Sequence, residues 1–498
     1  MVTKIYSAAL VGIGAQLITV EADVSQGLSQ FTIVGLADTR IQEARERIRA
    51  AIKQTGFQYP YNFRITINLA PSDVRKEGTA YDLPIALAVL HKQLRLRGLD
   101  DVVVLGELAL DGSVRPVRGV LAAARAALRA GKSTLVVPVE NADEAALIVG
   151  LIVLPVSSLL ACTAHFSGAR MLQPHTKSNV RLQTINDRRA EVDFAEIIDN
   201  SFAKRALLIA ATGGHHVVLC GPPGAGKTML ARACAGILPQ LTLDESVEVT
   251  EIYSSAGLVA PEHVPLHEPP FRSPHHSASA AALIGSVHSR GSVTPGEITL
   301  SHRGILFLDE LPEFARNVLE QLRQPLESGT IHLARSEHSV TLPAEFILIA
   351  AQNPCWCGYA TDPTHHCTCT PQQRLLYQKK ISGPLLDRID LYCDVQHVDL
   401  KKFGSLNDAE KNSTVSSASL RDHVLRAREF ARTRAEQRRI SNEAQTFAIR
   451  AAEQLRLSAR GYTRLLRVSR TIADLALHDV VGVAEVSEAL QYRVPQNR

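Results

Sequence analysis

The chain has 498 residues, 45% of them apolar and 21% charged, with a net charge of +4. That length exceeds one ordinary domain and asks for two or three, and the composition is that of a globular chain able to bury large cores. So small a net charge excludes a polycation that binds nucleic acid along its whole length, but the charge is uneven: residues 401–498 carry +7 and the rest −3, so a basic C-terminal segment faces either solvent or an acidic polymer.

Residues 5–20, IYSAALVGIGAQLITV, mimic a signal peptide. They carry Ser7 and Gln16, however, and run on into the alternating ITVEADV of a strand. No segment reads as transmembrane, so a cytoplasmic protein is expected, whose eight cysteines are not disulfide-bonded. Cys162, Cys220, Cys234 and Cys393 are expected as buried thiols.

In chain order, residues 1–165 mix strand patterns (FRITINLAP, STLVVPV) with amphipathic helices (DTRIQEARERIRAAIKQ, GVLAAARAALRAG) and form a first, α+β domain. Residues 166–190 are a polar linker. Residues 191–395 form an α/β core with a parallel sheet. Residues 396–415 are a second polar joint, and 416–498 an Arg-rich helical lid. The fold class is α/β overall.

Within the core, the apolar run HHVVLCG leads into GPPGAGKT and then a helix beginning MLARACAGIL. Strand, glycine-rich loop and helix in this order make a phosphate cradle: backbone N–H groups of Gly221, Gly224, Ala225 and Gly226, with Pro222 and Pro223 shaping the loop, surround phosphate oxygens at a helix N-terminus. Lys227 is expected on the β and γ phosphates, Thr228 on Mg²⁺, and Met229 against the nucleotide. The strand GILFLDE ends in Asp309, suited to Mg²⁺, and Glu310, suited to polarising the attacking water. The next strand, EFILIAAQN, ends in Asn353, which is placed to orient that water. Arg388, in GPLLDRIDL, is either an ion pair with Asp387 or Asp390 or a finger reaching a neighbour's nucleotide.

Two excursions leave this core. IGSVHSRGSVTPGEI, residues 284–298, carries His288 and Arg290 near its tip. TIHLARSEHSVTLP, residues 330–343, alternates Ile331, Leu333, Val340 and Leu342 around the polar tip RSEHS, which contains Arg335 and His338. This predicts a β-hairpin with a loop longer than a tight turn. CWCGYATDPTHHCTC places Cys355, Cys357, Cys367 and Cys369 as two CxC pairs, which suit a structural Zn²⁺; the alternative is a set of reduced thiols.

GPPGAGKTML, FRSPHH, PGEITLSHRGILFLDELPEF, NPCWCGY and ISGPLLDRIDL together resemble the magnesium-chelatase-like, MCM-related branch of the AAA+ ATPases, and nearly end to end the ComM family, also called YifB. The resemblance implies a homo-hexameric ring with ATP between subunits, Asn353 as first sensor, Arg388 as finger in trans, and Arg460, in SARGYTRLLRVSR, as a second nucleotide-facing arginine. It also implies hairpin tips that grip DNA by its backbone, through Arg335, His338, Arg290 and His288, and branch migration of recombination intermediates in natural transformation, with a recombinase or loading factor as a further partner. Residues 75–90 and those following resemble the Lon protease domain, but the Ser and Lys of that chemistry fall on Ala80 and Leu121, so a scaffold and not a peptidase is expected. Lys53, Arg64, Arg75 and Lys76 are a candidate basic face of that scaffold. A chelatase motor subunit and an AAA+ remodeller of protein complexes stand as rival readings.

Overall fold

The computed structural model describes residues 2–35, 38–74, 76–175, 192–259, 264–287, 293–335, 338–362, 365–397, 415–434 and 439–493. Two sheets organise it. The first has seven strands: β1 (Thr3–Val11), β2 (Gly14–Gln26), β3 (Gln30–Val34), β4 (Phe63–Ala70), β5 (Val102–Val104), β8 (Thr134–Pro138) and β9 (Ile152–Val156), in the order β3-β4-β2-β1-β5-β8-β9. A two-stranded ribbon, β6 (Glu107–Leu108) with β7 (Val114–Arg115), lies beside it. The segment that mimics a signal peptide is the β1–β2 hairpin, paired from Thr3–Ala22 to Val11–Gly14.

Helices α1 (Thr39–Gln54), α2 (Asp82–Leu94) and α5 (Leu159–Ser167) share one apolar core with this sheet; α3 (Val120–Arg129) and α4 (Ala142–Ala145) share a second. Asp38 caps α1 through the N–H of Ile41, the local reason the helix starts there. Helix α5 runs two residues into the segment read as linker. Lys76 is buried, its ammonium bonded to the Pro71 carbonyl, so it is no part of a basic surface; Arg75 lies outside the described residues.

The second sheet is parallel throughout, in the order β11 (Phe271–Arg272), β14 (Ile305–Leu308), β17 (Ile347–Gln352), β10 (Val217–Cys220), β18 (Leu391–Asp394). Alternate residues of each strand enter different cores, Leu219 and Phe307 one, Val218 and Leu308 the other. Burial on both faces is why these strands read as unbroken apolar runs. On the first face lie α6 (Ser201–Gly213), α7 (Lys227–Ile237) and the lid helices α15 (Ser417–Thr433), α16 (Asn442–Gln454), α17 (Ala459–Leu475) and α18 (Val483–Gln491). On the second lie α9 (Ala280–Ile284), α10 (Glu297–Leu300) and α11 (Arg316–Gln321), with α14 (Gly383–Leu386) beside them. Helices α12 (Arg323–Ser328) and α13 (Pro371–Gln378) flank the connections, and α8 (Leu243–Ala256) docks on the first domain.

Both excursions are antiparallel ribbons: β12 (Gly285–Val287) with β13 (Val293–Pro295), and β15 (Thr330–Arg335) with β16 (His338–Pro343). Pairing in the second continues out to Arg335 opposite His338, so the strands reach further into RSEHS than the longer loop expected from the sequence. The side chains of Arg335 and His338, and the whole of His288 and Arg290, lie outside the described residues. No helix among the described residues is long and apolar enough to cross a membrane.

Candidate nucleotide site and an arginine pair

The carboxyl ends of β10, β14 and β17 meet at one edge of the parallel sheet, where open α/β sheets bind ligands. Gly224 and Gly226 take φ of +77° and +82°, which the turn into α7 demands and a side chain would resist. Lys227 is buried; its Nζ donates to the carbonyls of Gly221 (2.7 Å) and Pro222 (2.8 Å) and to Asn353 Oδ1 (3.1 Å). Burial depresses the Lys227 pKa, with Asp309 and Glu310 opposing the shift. An arriving polyphosphate would favour its charged form.

Thr228 Oγ1 donates to Asp309 Oδ2 at 2.9 Å, so the two groups that suit Mg²⁺ already face each other. When bound, that ion would neutralise charge on the β and γ phosphates. Glu310 follows with φ +51°, a left-handed conformation for a non-glycine residue, and its carboxylate lies 3.2 Å from His276 Nδ1. Such strain is typical of functional positions. Ala225 is buried, while Met229 is 44% exposed on the open side of α7.

Arg388 and Arg460 are elsewhere. Both donate to Glu327, Arg388 Nη2 at 2.6 Å and Arg460 Nη2 at 2.9 Å. Neither Asp387 nor Asp390 pairs with Arg388, as the ion-pair reading required; Asp390 instead takes His215 (3.4 Å) and Arg464 (3.6 Å). Asp390 sits at the amino end of β18, its N–H on the His216 carbonyl that precedes β10. The phosphate loop leaves the other end of β10, about 13 Å away for a four-residue strand. The arginine pair thus lies about a strand's length from its own chain's phosphate loop. Among the arginines of α17, Arg470 is buried on Asp474 and backbone carbonyls and Arg464 is half-buried on Asp390; Arg460 and Arg467 are exposed, and of these two Arg460 is the one paired with Glu327.

The four cysteines of the CxC pairs converge. Sγ separations are 3.3 Å (Cys355–Cys357), 3.6 Å (Cys355–Cys367) and 3.4 Å (Cys357–Cys367), and Cys369 Sγ accepts the Cys357 N–H at 3.4 Å. All four sulfurs lie within 4.8 Å of one another. A tetrahedral zinc with Zn–S near 2.3 Å spaces its sulfurs about 3.8 Å apart, so the donor set fits the ion. Burial raises the Cys355 pKa; Cys357 is lowered despite some burial, by the Tyr359 N–H and the neighbouring thiols, so the cluster already favours a thiolate. The loop rests on the phosphate loop: a Cβ on Gly358 would stand 2.5 Å from Pro223 Cδ. Cys162, Cys220, Cys234 and Cys393 are buried thiols.

In the first domain, the Leu121 side chain packs with Leu147 against Val247 of α8, and its N–H donates to Glu144 (3.0 Å). Thr79, the hydroxyl nearest the missing nucleophile, is bonded to Glu107. Two residues that sequence reasoning assigned no role enter these sites. His276 belongs to FRSPHH, a stretch quoted only as a family mark, and Glu327 sits in an unremarkable helix.

A phosphate cradle, a carboxylate pair and a polar strand end at one edge of a parallel sheet, covered by a helical lid, define an AAA+ ATPase. Residues 193–403 match the family model described as magnesium chelatase, subunit ChlI; residues 20–141 match that of subunit ChlI of Mg-chelatase, and 414–493 that of the ChlI C-terminal part. YifB of Escherichia coli (strain K12) is 41% identical over 506 residues, 98% of this chain and 96% of that protein. Competence protein ComM of Haemophilus influenzae (strain Rd) is 40% identical over 510 residues, 98% and 97% of the two chains. Weaker similarity, 26%, reaches Lon protease 3 of Sorangium cellulosum over 138 residues (27% of this chain, 17% of that one) and an MCM-type protein of Methanocaldococcus jannaschii over 215 residues (41% and 27%). The chain belongs to the YifB/ComM family of magnesium-chelatase-like AAA+ ATPases, a membership that implies use of ATP and Mg²⁺.

Proposed function

We propose that this chain is the subunit of a hexameric, ATP-driven DNA motor that works on recombination intermediates during uptake of DNA. The observation that carries the reading is the position of the β15–β16 hairpin. Glu327, which holds Arg388 and Arg460, lies three residues before β15; Asn353, which holds Lys227, is joined to β16 through β17. One rigid ribbon therefore hangs between two points that nucleotide would disturb.

Bound ATP draws Lys227 from the Gly221 and Pro222 carbonyls onto phosphate oxygens and releases Asn353 to hold the attacking water, with Glu310 as the base. A neighbouring subunit supplies Arg388, which leaves Glu327 for the γ phosphate, and Arg460 beside it. Each exchange shifts one root of the hairpin, and Arg335 and His338 at its tip carry the shift to a DNA backbone; His288 and Arg290 of the first excursion line the same channel. Grip through phosphates falls steeply with salt. The Haemophilus relative's name, competence protein, and the MCM-type similarity support DNA as the polymer moved. The cysteine quartet holds a structural zinc that stiffens the loop between Asn353 and Arg388, and the first domain, with Ala80 and Leu121 in place of the dyad, serves as a scaffold.

A strand-displacement assay on three-strand DNA joints tests this. Lys227→Ala fails without hydrolysing ATP; Arg335→Ala fails while still hydrolysing it. Normal displacement by Arg335→Ala, or an ATPase rate that no form of DNA alters, defeats the reading and returns a chelatase motor or a protein remodeller to first place.

A further inference from the structure

We propose that Asp362, His365 and His397 form a second metal site, for a divalent cation of the zinc class, that clips the cysteine loop to the exit of β18 beside the phosphate loop. Asp362 Oδ2 lies 3.2 Å from His365 Nδ1 and 3.6 Å from His397 Nε2, and the three ligand atoms all fall within 4.8 Å of one another. Ligands about 2.05 Å from a tetrahedral zinc are about 3.4 Å apart, so an ion fits between these atoms with little rearrangement. Two imidazoles with a carboxylate is a donor set that zinc uses when it keeps one position open.

The surroundings hold the ligands in place. Asp362 Oδ1 accepts the His365 N–H at 3.3 Å, and the Tyr359 ring stacks on His365 with centroids 4.9 Å apart. Contacts of this kind orient ligands around a metal. The Asp362 side chain is wholly buried, 0% exposed, while His365 is 58% exposed. A buried carboxylate between two imidazoles must be neutralised. A divalent cation held between the rings would compensate that charge while taking one nitrogen from each imidazole.

The site borders the phosphate loop. His397 Cε1 is 3.7 Å from where a Cβ on Gly224 would stand, and the N–H of Gln396 donates to Asn200, the residue that precedes α6. A cation here joins the cysteine loop, the phosphate loop and the chain's path toward the lid. Its donors are nitrogen and oxygen, which separates it chemically from the all-thiolate quartet.

The full chain, stripped of metal and kept reduced, is titrated with Co²⁺. Two equivalents per chain are expected: one with a thiolate-to-cobalt charge-transfer band, from the quartet, and one without it. Asp362→Asn with His397→Gln removes only the second; His365→Gln, at an exposed ring, weakens it by at least about tenfold. Cys367→Ser with Cys369→Ser removes only the charge-transfer band. Zinc counted by mass spectrometry follows the same pattern. If every equivalent bound by the unaltered chain carries the thiolate band, or if the second equivalent ignores all three triad substitutions, the cluster is a carboxylate flanked by two imidazoles only and the proposal is overturned.

Discussion

Arg388 donates to the Glu327 carboxylate at 2.6 Å, at the amino end of the parallel sheet and a strand's length from the phosphate loop of its own chain. Arg460 shares that carboxylate, and the two guanidiniums hold Glu327 below the usual carboxylate range, Arg388 through its hydrogen bond first. In the hexamer proposed above, an arginine so placed would serve a neighbour's nucleotide.

Two inactive variants should therefore rescue each other. Arg388→Ala is expected to bind ATP normally and to hydrolyse it about a thousandfold more slowly, the loss usual for an arginine finger. Lys227→Ala is expected not to hydrolyse at all. Mixed, they form interfaces that combine an intact Lys227 from one chain with an intact Arg388 from the next. ATPase rates of the mixture and of each variant alone are the measurement; a mixture as inactive as its parts would place Arg388 in cis.

Gly358→Ala should damage nucleotide binding from outside the phosphate loop. Its φ is +87°, and the added methyl would meet Pro223 Cδ at 2.5 Å. Strain of about 1–3 kcal/mol at this position, relieved by displacing Pro223, lowers ATP affinity by about tenfold or more. Gly27→Ala, where the nearest atom is 3.8 Å away and φ is ordinary, should leave it unchanged. Equilibrium binding of a fluorescent ATP analogue distinguishes the two.

The core should lose stability on acidification through His216. The Leu348 N–H donates to His216 Nδ1 at 3.1 Å, so that nitrogen must stay unprotonated, and burial pushes the ring's pKa from 6.5 down to about 4. A base whose folded pKa is depressed contributes its full stability above pH 6.5 and loses it as pH falls toward 4, at about 1.4 kcal/mol per unit, or up to about 2 kcal/mol by pH 5. His216→Asn keeps an acceptor and cannot titrate. Its stability in denaturant should fall less between pH 7.5 and 5 than that of the unaltered chain; parallel falls would remove His216 as the cause.

Ser254 ties α8 to the first domain. Its hydroxyl accepts the Gly119 N–H at 3.1 Å and bonds Glu144, a buried carboxylate that burial pushes up and that also accepts the Leu121 N–H. Ser254→Ala leaves the Gly119 N–H without a partner, at about 1–3 kcal/mol. A lower first melting transition and faster proteolysis between the two domains are expected; an unchanged melting curve would show that solvent reaches this junction.

Whatever depends on near neighbours in the chain was legible in advance. Asp38 before an amphipathic run starts α1, glycines at 224 and 226 bend β10 into α7, and four apolar residues before Asp309 make a strand whose end is polar. The hairpin was legible from alternation, but not its reach, because pairing out to Arg335–His338 depends on the register that the strands settle into. Lys76, expected on a basic face of the scaffold, is buried, since a lysine's surroundings are decided by what packs over it.

The residues that the sequence by itself determined are those of the phosphate cradle and the carboxylate pair, where the backbone conformation that makes the chemistry is set within a few positions. Only the tertiary structure decided the partners. Glu327 meets Arg388 from 61 positions away, His276 meets Glu310 from 34, and Asp362 meets His397 from 35. Those meetings follow from the order in which strands lie in the sheet, which is fixed by burial of whole faces and leaves no local pattern along the chain.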